Sequence, residues 1–234
     1  MNNLENSVAR MIAPAKKSYT LPTDQVNTAA ISVTVANNWV NRPEFADLVL
    51  KQITAADFLA LSTRLATNIS QKRTFIKQYS MHTKSVLVLS KEIKENGQVL
   101  KGYLFETFKK DAIQYYTMFG YTHKNKSYSL PTDYDNLLQS VRTICDQINT
   151  PTYAFLVSKT YGKAYWETTR DRFTTDWTAS RTYISDLAAL TQAIATDYAE
   201  VRKILTLLRR RVKDDYAPQH ESHLRMIGFL KESF

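Results

Sequence analysis

Ser18-Tyr19-Thr20-Leu21-Pro22-Thr23-Asp24 returns further along the chain as Ser127-Tyr128-Ser129-Leu130-Pro131-Thr132-Asp133. Three more echoes follow. Val40-Asn41-Arg42-Pro43 is matched by Ile148-Asn149-Thr150-Pro151, and Arg73-Thr74-Phe75-Ile76 by Arg181-Thr182-Tyr183-Ile184. Met118-Phe119-Gly120-Tyr121 is matched by Met226-Ile227-Gly228-Phe229. The first echo has an offset of 109 and the others share 108. Self-similarity held at one spacing is the signature of a repeated structural unit. The expected organisation is an arm at 1–17, repeats at 18–121 and 127–229 joined by a polar linker at 122–126, and a tail at 230–234.

The repeated phrase reads as a helix start. Thr or Asp accepts a hydrogen bond from the free amides of a first turn, and the residue before proline is held extended, so the helix starts no earlier. Tyr19 and Leu21, or Tyr128 and Leu130, are placed to pack back on that turn as a staple. Val26, Ala29, Ala30, Val33 and Ala36 give the following helix an apolar stripe. Leu137, Leu138, Val141, Ile144 and Ile148 do the same in the second repeat. Pro43 and Pro151 suit the first turn of short helices running to Lys51 and Lys159. Gly120 and Gly228 close the last helix of each repeat, since glycine accepts the left-handed conformation.

Between these marks lie long stretches without proline, Thr54–Asn96 and Lys163–Tyr216. A straight helix over the longer one would span about 80 Å, which predicts a break near Gln78–Met81 and another near Asp186–Leu190. Asn96-Gly97 reads either as a local turn or as a glycine carried inside a helix at a cost of about 1 kcal/mol. Apolar spacings of three and four leave β structure the weaker reading. The fold class is all-α: an internally duplicated helical bundle of two similar units of three to four helices each, pseudo-twofold related, with a merged or tightly docked pair favoured over two separate lobes.

The totals set the class of function. The chain has 234 residues, 5 glycines, 6 prolines and 1 cysteine, with 44% apolar residues, as in a soluble globular protein. The single Cys145, beside Val141 and Ile144, reads as a buried thiol and not a nucleophile. No secretory leader or membrane-length apolar run is evident, so the expected location is the cytoplasm, with no membrane insertion. The glycines never cluster into a phosphate loop, no Ser/His/Asp arrangement stands out, and no cofactor is expected. His220 and His223 with Asp214 or Asp215 form the only metal-like spacing. It has no counterpart in the first repeat, so no metal is expected.

Charge is the remaining signal. Net charge is +9, divided as +1 over 1–68, +7 over 69–126, −3 over 127–200 and +4 over 201–234. Arg209, Arg210, Arg211 and Lys213 form the densest cluster, and Lys101, Lys109 and Lys110 lie near the end of the first repeat. Tyr103, Phe105, Phe108, Tyr115, Tyr116, Phe119 and Tyr121 interleave with the latter. Such surfaces attract phosphate backbones or anionic lipids, and exposed rings stack bases. Against this, Ile204, Leu208 and Val212 mark a core stripe, which makes the arginines the solvated side of an amphipathic helix. Arg64, Arg73, Arg172 and Arg181 recur in both repeats. They read as surface ion pairs with helix neighbours such as Asp171 or as anion clamps in a cleft between repeats. The favoured function is a non-catalytic binding or scaffold protein that engages a protein partner or itself. Nucleic-acid binding through the basic terminal helices comes second, and an enzyme with an anion-binding cleft third.

Overall fold

The computed structural model describes residues 21–124 and 127–229. The arm at 1–17, the tail at 230–234, Tyr19 of the proposed staple and two linker positions lie outside them. The described chain is mostly helical, with six α-helices and two short strands. They are α1 (Gln25–Asn41), α2 (Ala55–Phe108), α3 (Ala112–Met118), β1 (Thr122–Lys124), β2 (Ser127–Ser129), α4 (Tyr134–Ile148), α5 (Lys163–Asp215) and α6 (His220–Ile227). Short 3-10 turns begin at Pro43, Lys109 and Pro151.

The helix starts follow the local chemistry. Asp24 accepts the Asn27 backbone N–H at 2.8 Å, and Asp133 accepts that of Asn136 at 2.9 Å. The Asn27 N–H bond leads the effects that hold the Asp24 carboxyl below its usual range. Pro43 and Pro151 each open a 3-10 turn, shorter than the helices expected there. Gly120 and Gly228 adopt φ values of 77° and 115°. At Gly120 any side chain would also meet backbone, since a Cβ would lie 2.9 Å from the Ser140 Cα.

The expected breaks at Gln78–Met81 and Asp186–Leu190 are absent. α2 runs for 54 residues and α5 for 53. A helix of this length needs a break only where one bundle must contain it whole. Instead the described chain forms two compact units, and each long helix contributes to both. Unit 1 comprises residues up to Arg73 together with those from Ala188 onward, and unit 2 is the continuous segment Thr74–Leu187. Each unit therefore takes segments from both of the stretches 18–121 and 127–229.

Unit 1 packs α1, the start of α2, the end of α5 and α6 around Val35, Trp39, Phe45, Phe58, Leu65, Val201 and Leu205. The buried face of α1 matches the expected stripe in part: Ala29 and Ala36 are buried and Val33 is half-buried, whereas Val26 is 42% exposed and Ala30 faces solvent. The inward face is Thr28, Ala29, Ile31, Ser32, Val35, Ala36 and Trp39. Trp39 sets this phase, because its large ring is worth most when buried. Its indole N–H has a partner there, the Leu48 carbonyl at 2.9 Å.

Unit 2 packs the rest of α2, α3, α4 and the start of α5 around Leu89, Ile93, Leu100, Ile144, Trp166 and Phe173. The α4 stripe falls as expected, with Leu137, Leu138, Val141, Ile144 and Ile148 all buried. The linker is not merely a connector. Thr122–Lys124 pairs antiparallel with Ser127–Ser129, with His123 opposite Tyr128. Tyr128 packs against Tyr116 and His123 from that strand.

Gly97 lies inside α2, which decides between the two readings of Asn96-Gly97. An added Cβ would come 2.6 Å from Leu130 Cδ1, and the Tyr121 hydroxyl donates to the Gly97 carbonyl at 2.5 Å. The missing side chain is what admits these neighbours.

Cys145 is buried, as its context implies, and burial pushes its thiol up to about 11. At neutral pH the nucleophilic thiolate is scarce. A chromogenic thiol reagent should therefore modify the native protein far more slowly than the protein in denaturant. Equal rates would remove this burial.

Candidate functional site

Polar side chains that join distant parts of the chain are the first features to resolve. In unit 1, the Arg64 guanidinium meets the Asp197 carboxylate through two bonds, Nε to Oδ2 at 3.0 Å and Nη2 to Oδ1 at 2.7 Å. The Asp197 side chain is 6% exposed and the Arg64 side chain 60%. The pair thus joins a buried acid to a wet base. The hydrogen bond and the Asp197 charge raise the Arg64 pKa further. Arg73, in the same unit, is exposed.

In unit 2, Arg181 donates to Asp135 at 3.2 Å and lies 5.8 Å from the centre of the Trp177 ring. The Trp177 indole donates to the same Asp135 oxygen at 2.8 Å. Arg172 is exposed, and its charge helps to hold Asp176 ionised. Two of the four repeated arginines are therefore held by carboxylates distant in sequence, not by neighbours on their own helix. The neighbour Asp171 binds Arg170 instead.

Unit 2 also gathers a histidine, a serine and an aspartate that sequence reasoning did not pick out. His82 Nδ1 lies 2.8 Å from one oxygen of Asp176, and the Ser85 hydroxyl donates to the other. Burial works against ionisation of Asp176. The hydrogen bonds from Ser85 and His82 and the nearby charges outweigh it, so its carboxyl stays below the usual range. Tyr183 stacks on the His82 ring at 5.8 Å, and Phe75 meets Tyr183 edge-on. A nucleophilic relay requires the serine to bond the base. Here serine and imidazole both engage the carboxylate, so the cluster ties α2 to α5. The local signal was His82 and Ser85, three residues apart on one helix face. The partner acid, 94 residues from His82, left no local trace.

Beside Phe75 and Tyr183, an open groove of about 620 Å³ is lined by Thr174, Thr175, Thr178, Ala179, Thr182 and Asp186. Unit 1 has an apolar hollow of about 430 Å³ bounded by Trp39, Phe45, Leu48, Val49 and Ile53 among others.

The basic cluster closes α5. Ile204, Leu208 and Val212 are buried, as their spacing implies. Arg210, Arg211 and Lys213 are exposed and Arg209 is half-buried. Arg211 bonds Asp215 at 2.7 Å. Lys101 is spent on the hairpin, donating to the Tyr128 carbonyl at 3.0 Å and lying over Tyr116. Lys109 and Lys110 sit exposed in the turn after α2, Lys109 with φ of 52°.

The interleaved aromatics do not form an exposed stacking row. Phe105 is 56% exposed, whereas Tyr116, Phe119 and Tyr121 are buried. Phe108 and Tyr115 stack on each other, and Tyr103 lies under Lys159. Their apolar bodies are worth more in the core than in water. At the metal-like spacing, His223 stacks on Tyr216, and Asp215 faces Arg211. Among the described residues no group of three or more potential metal ligands comes together.

No protein-family model matches the chain, and no curated protein or solved structure matches it either.

Proposed function

We propose that this chain is a non-catalytic helical binding protein, serving as a scaffold or adaptor and built by tandem duplication. One observation carries the reading: the chemically capable groups are spent on holding helices together, while cations face water. Arg64 is held by Asp197, Arg181 by Asp135, and His82 and Ser85 by Asp176. Duplication is supported by matched landmarks. Asp24 and Asp133 cap helices, Pro43 and Pro151 open 3-10 turns, and Gly120 and Gly228 take positive φ in the same order. Two related surfaces in one chain suit a bivalent partner or self-association. A single buried thiol suits the reducing cytosol.

A second reading, nucleic-acid binding, is favoured by the end of α5. No acid occurs between Arg202 and Lys213. At about 100° per residue, Arg202, Arg209 and Lys213 fall within about 40° of one another. The enzyme reading ranks below both, because Arg64 and Arg181 already hold carboxylates.

Size-exclusion chromatography with light scattering separates the first two readings. The protein is run alone and with short fluorescent RNA or DNA at low and high salt. Under the binding-protein reading, polynucleotide leaves elution unchanged at both salts, and the mass reports self-association. Co-elution at low salt that vanishes at high salt, and in Arg209→Glu/Arg210→Glu/Arg211→Glu, would put nucleic acid in its place.

A further inference from the structure

We propose that the outward face of α2 from Lys77 to Phe105 docks on the anionic surface of a lipid bilayer. The proposal rests on reading the protein as a binding module and names a partner for one of its faces. Val86, Leu89, Ile93, Leu100 and Leu104 are buried in unit 2 and mark the inward side of this part of the helix. At about 100° per residue, Lys77, Lys84 and Lys91 fall within about 40° of one another on the opposite side, and Lys94 lies about 60° further round. Lys77, Lys84 and Lys91 are exposed and Lys94 is half-exposed. No acid occurs between Lys77 and Lys91. Lys91 approaches Glu95 at 3.8 Å with both side chains largely in water, where such a pair is weak.

Large apolar side chains stand among these lysines. Met81 is 56% exposed, Leu87 61%, Val88 56% and Phe105 56%. Single exposed apolar residues are ordinary, but several on one face mark an interaction surface. The mixture selects the partner. A phosphate polymer would neutralise the lysines and leave Leu87, Val88 and Met81 in water. A lipid interface takes both kinds: apolar side chains enter the boundary between headgroups and acyl chains, and lysine stems lie beside them with their ammonium groups among the headgroups. From Lys77 to Lys91 the positive charge has no intervening acid, and the exposed Glu92, Glu95 and Glu106 follow only beyond it; that first stretch selects the anionic leaflet, at on the order of fivefold in affinity per lysine. The face spans about 42 Å. The contact is peripheral, since no described helix is long and apolar enough to cross a membrane.

The test is sedimentation of the full chain with vesicles of phosphatidylcholine alone or mixed with phosphatidylserine, at low and high salt. Two variants are compared, Lys84→Glu/Lys91→Glu and Leu87→Ser/Val88→Ser. All four positions are exposed, so unchanged circular dichroism and melting serve as the folding control. The wild type should pellet with phosphatidylserine vesicles at low salt, and salt should release it. The lysine variant should weaken binding by on the order of 25-fold or more. The Leu87/Val88 variant should weaken it as well, although its charge is unchanged.

Failure of the folded wild type to pellet, or wild-type pelleting by the Leu87/Val88 variant, would overturn the lipid assignment. So would RNA binding that needs the lysines and ignores Leu87 and Val88 while vesicles stay unbound, and that result would favour the nucleic-acid reading. Loss of the lipid assignment leaves the proposed scaffold reading standing, which only salt-sensitive co-elution with polynucleotide displaces.

Discussion

Gly162→Ala is expected to lower the melting temperature by roughly 6–12 °C, while Gly102→Ala raises it by roughly 2–4 °C. The two glycines differ in what surrounds them. At Gly162 an added Cβ would sit 2.0 Å from the Leu156 carbonyl oxygen and 2.7 Å from that of Lys159. Both are backbone atoms of the turn leading into α5, and the Gly162 N–H itself donates to the Lys159 carbonyl at 2.9 Å. No rotamer change relieves such a clash, so the turn must open, at about 3 kcal/mol by analogy with overpacked cores. Gly102 lies within α2 with nothing inside 4 Å of the added carbon. There alanine removes the helix penalty of glycine, about 1 kcal/mol. Thermal melts followed by circular dichroism read both signs. A Gly162→Ala protein that melts with the wild type would mean that the turn is not packed as described.

Separating the chain at the hairpin should abolish folding of either half alone. Residues up to Lys124 supply α1 and the start of α2 to unit 1, and the rest of α2 with α3 to unit 2. Residues from Ser127 supply the remaining helices of each unit. Neither half owns a complete core: Trp39 and Phe58 in the first pack with Val201 and Leu205 in the second, and Leu100 and Leu104 in the first with Ile144 and Trp166 in the second. A half lacking its counterpart leaves an apolar face without a partner, and most helical stability comes from such packing. Each half expressed alone should show weak, non-cooperative helicity, and mixing the two should restore a cooperative melt and one eluting species. A half that melts cooperatively by itself would contradict this composition of the cores.

Local chemistry was legible in the sequence. Asp24 and Asp133 as caps, Pro43 and Pro151 as turn openers, Gly120 and Gly228 as closers and the α4 stripe all depend on residues within one or two turns of each other. The stripe of α1 was legible only in part, with Ala29 and Ala36 buried but Val26 and Ala30 exposed, because small alanines and valines suit several faces and Trp39 with its acceptor beyond the helix fixes one. The expected breaks in α2 and α5 had no breaker residue behind them; they followed from assuming that each helix stays in one unit. Arg64–Asp197 and His82–Asp176 were invisible for another reason. Their partners lie 133 and 94 residues apart, and no periodicity within one helix reports a pairing across two. Of the candidate surfaces, the solvated side of α5 was readable from Ile204, Leu208 and Val212. The lysine and aliphatic face of α2 emerged only once its buried side was known.

The composition of the two units also orders events during synthesis. Residues 74–187 are continuous, so unit 2 has all its parts as soon as Leu187 leaves the ribosome. Unit 1 begins with the first described residues but needs those from Ala188 onward. At ordinary elongation rates its early helices wait roughly ten seconds for their partners. During that interval Trp39, Phe45 and Phe58 lack the α5 and α6 side chains of their core, so the segment of unit 1 made before unit 2 is completed after it.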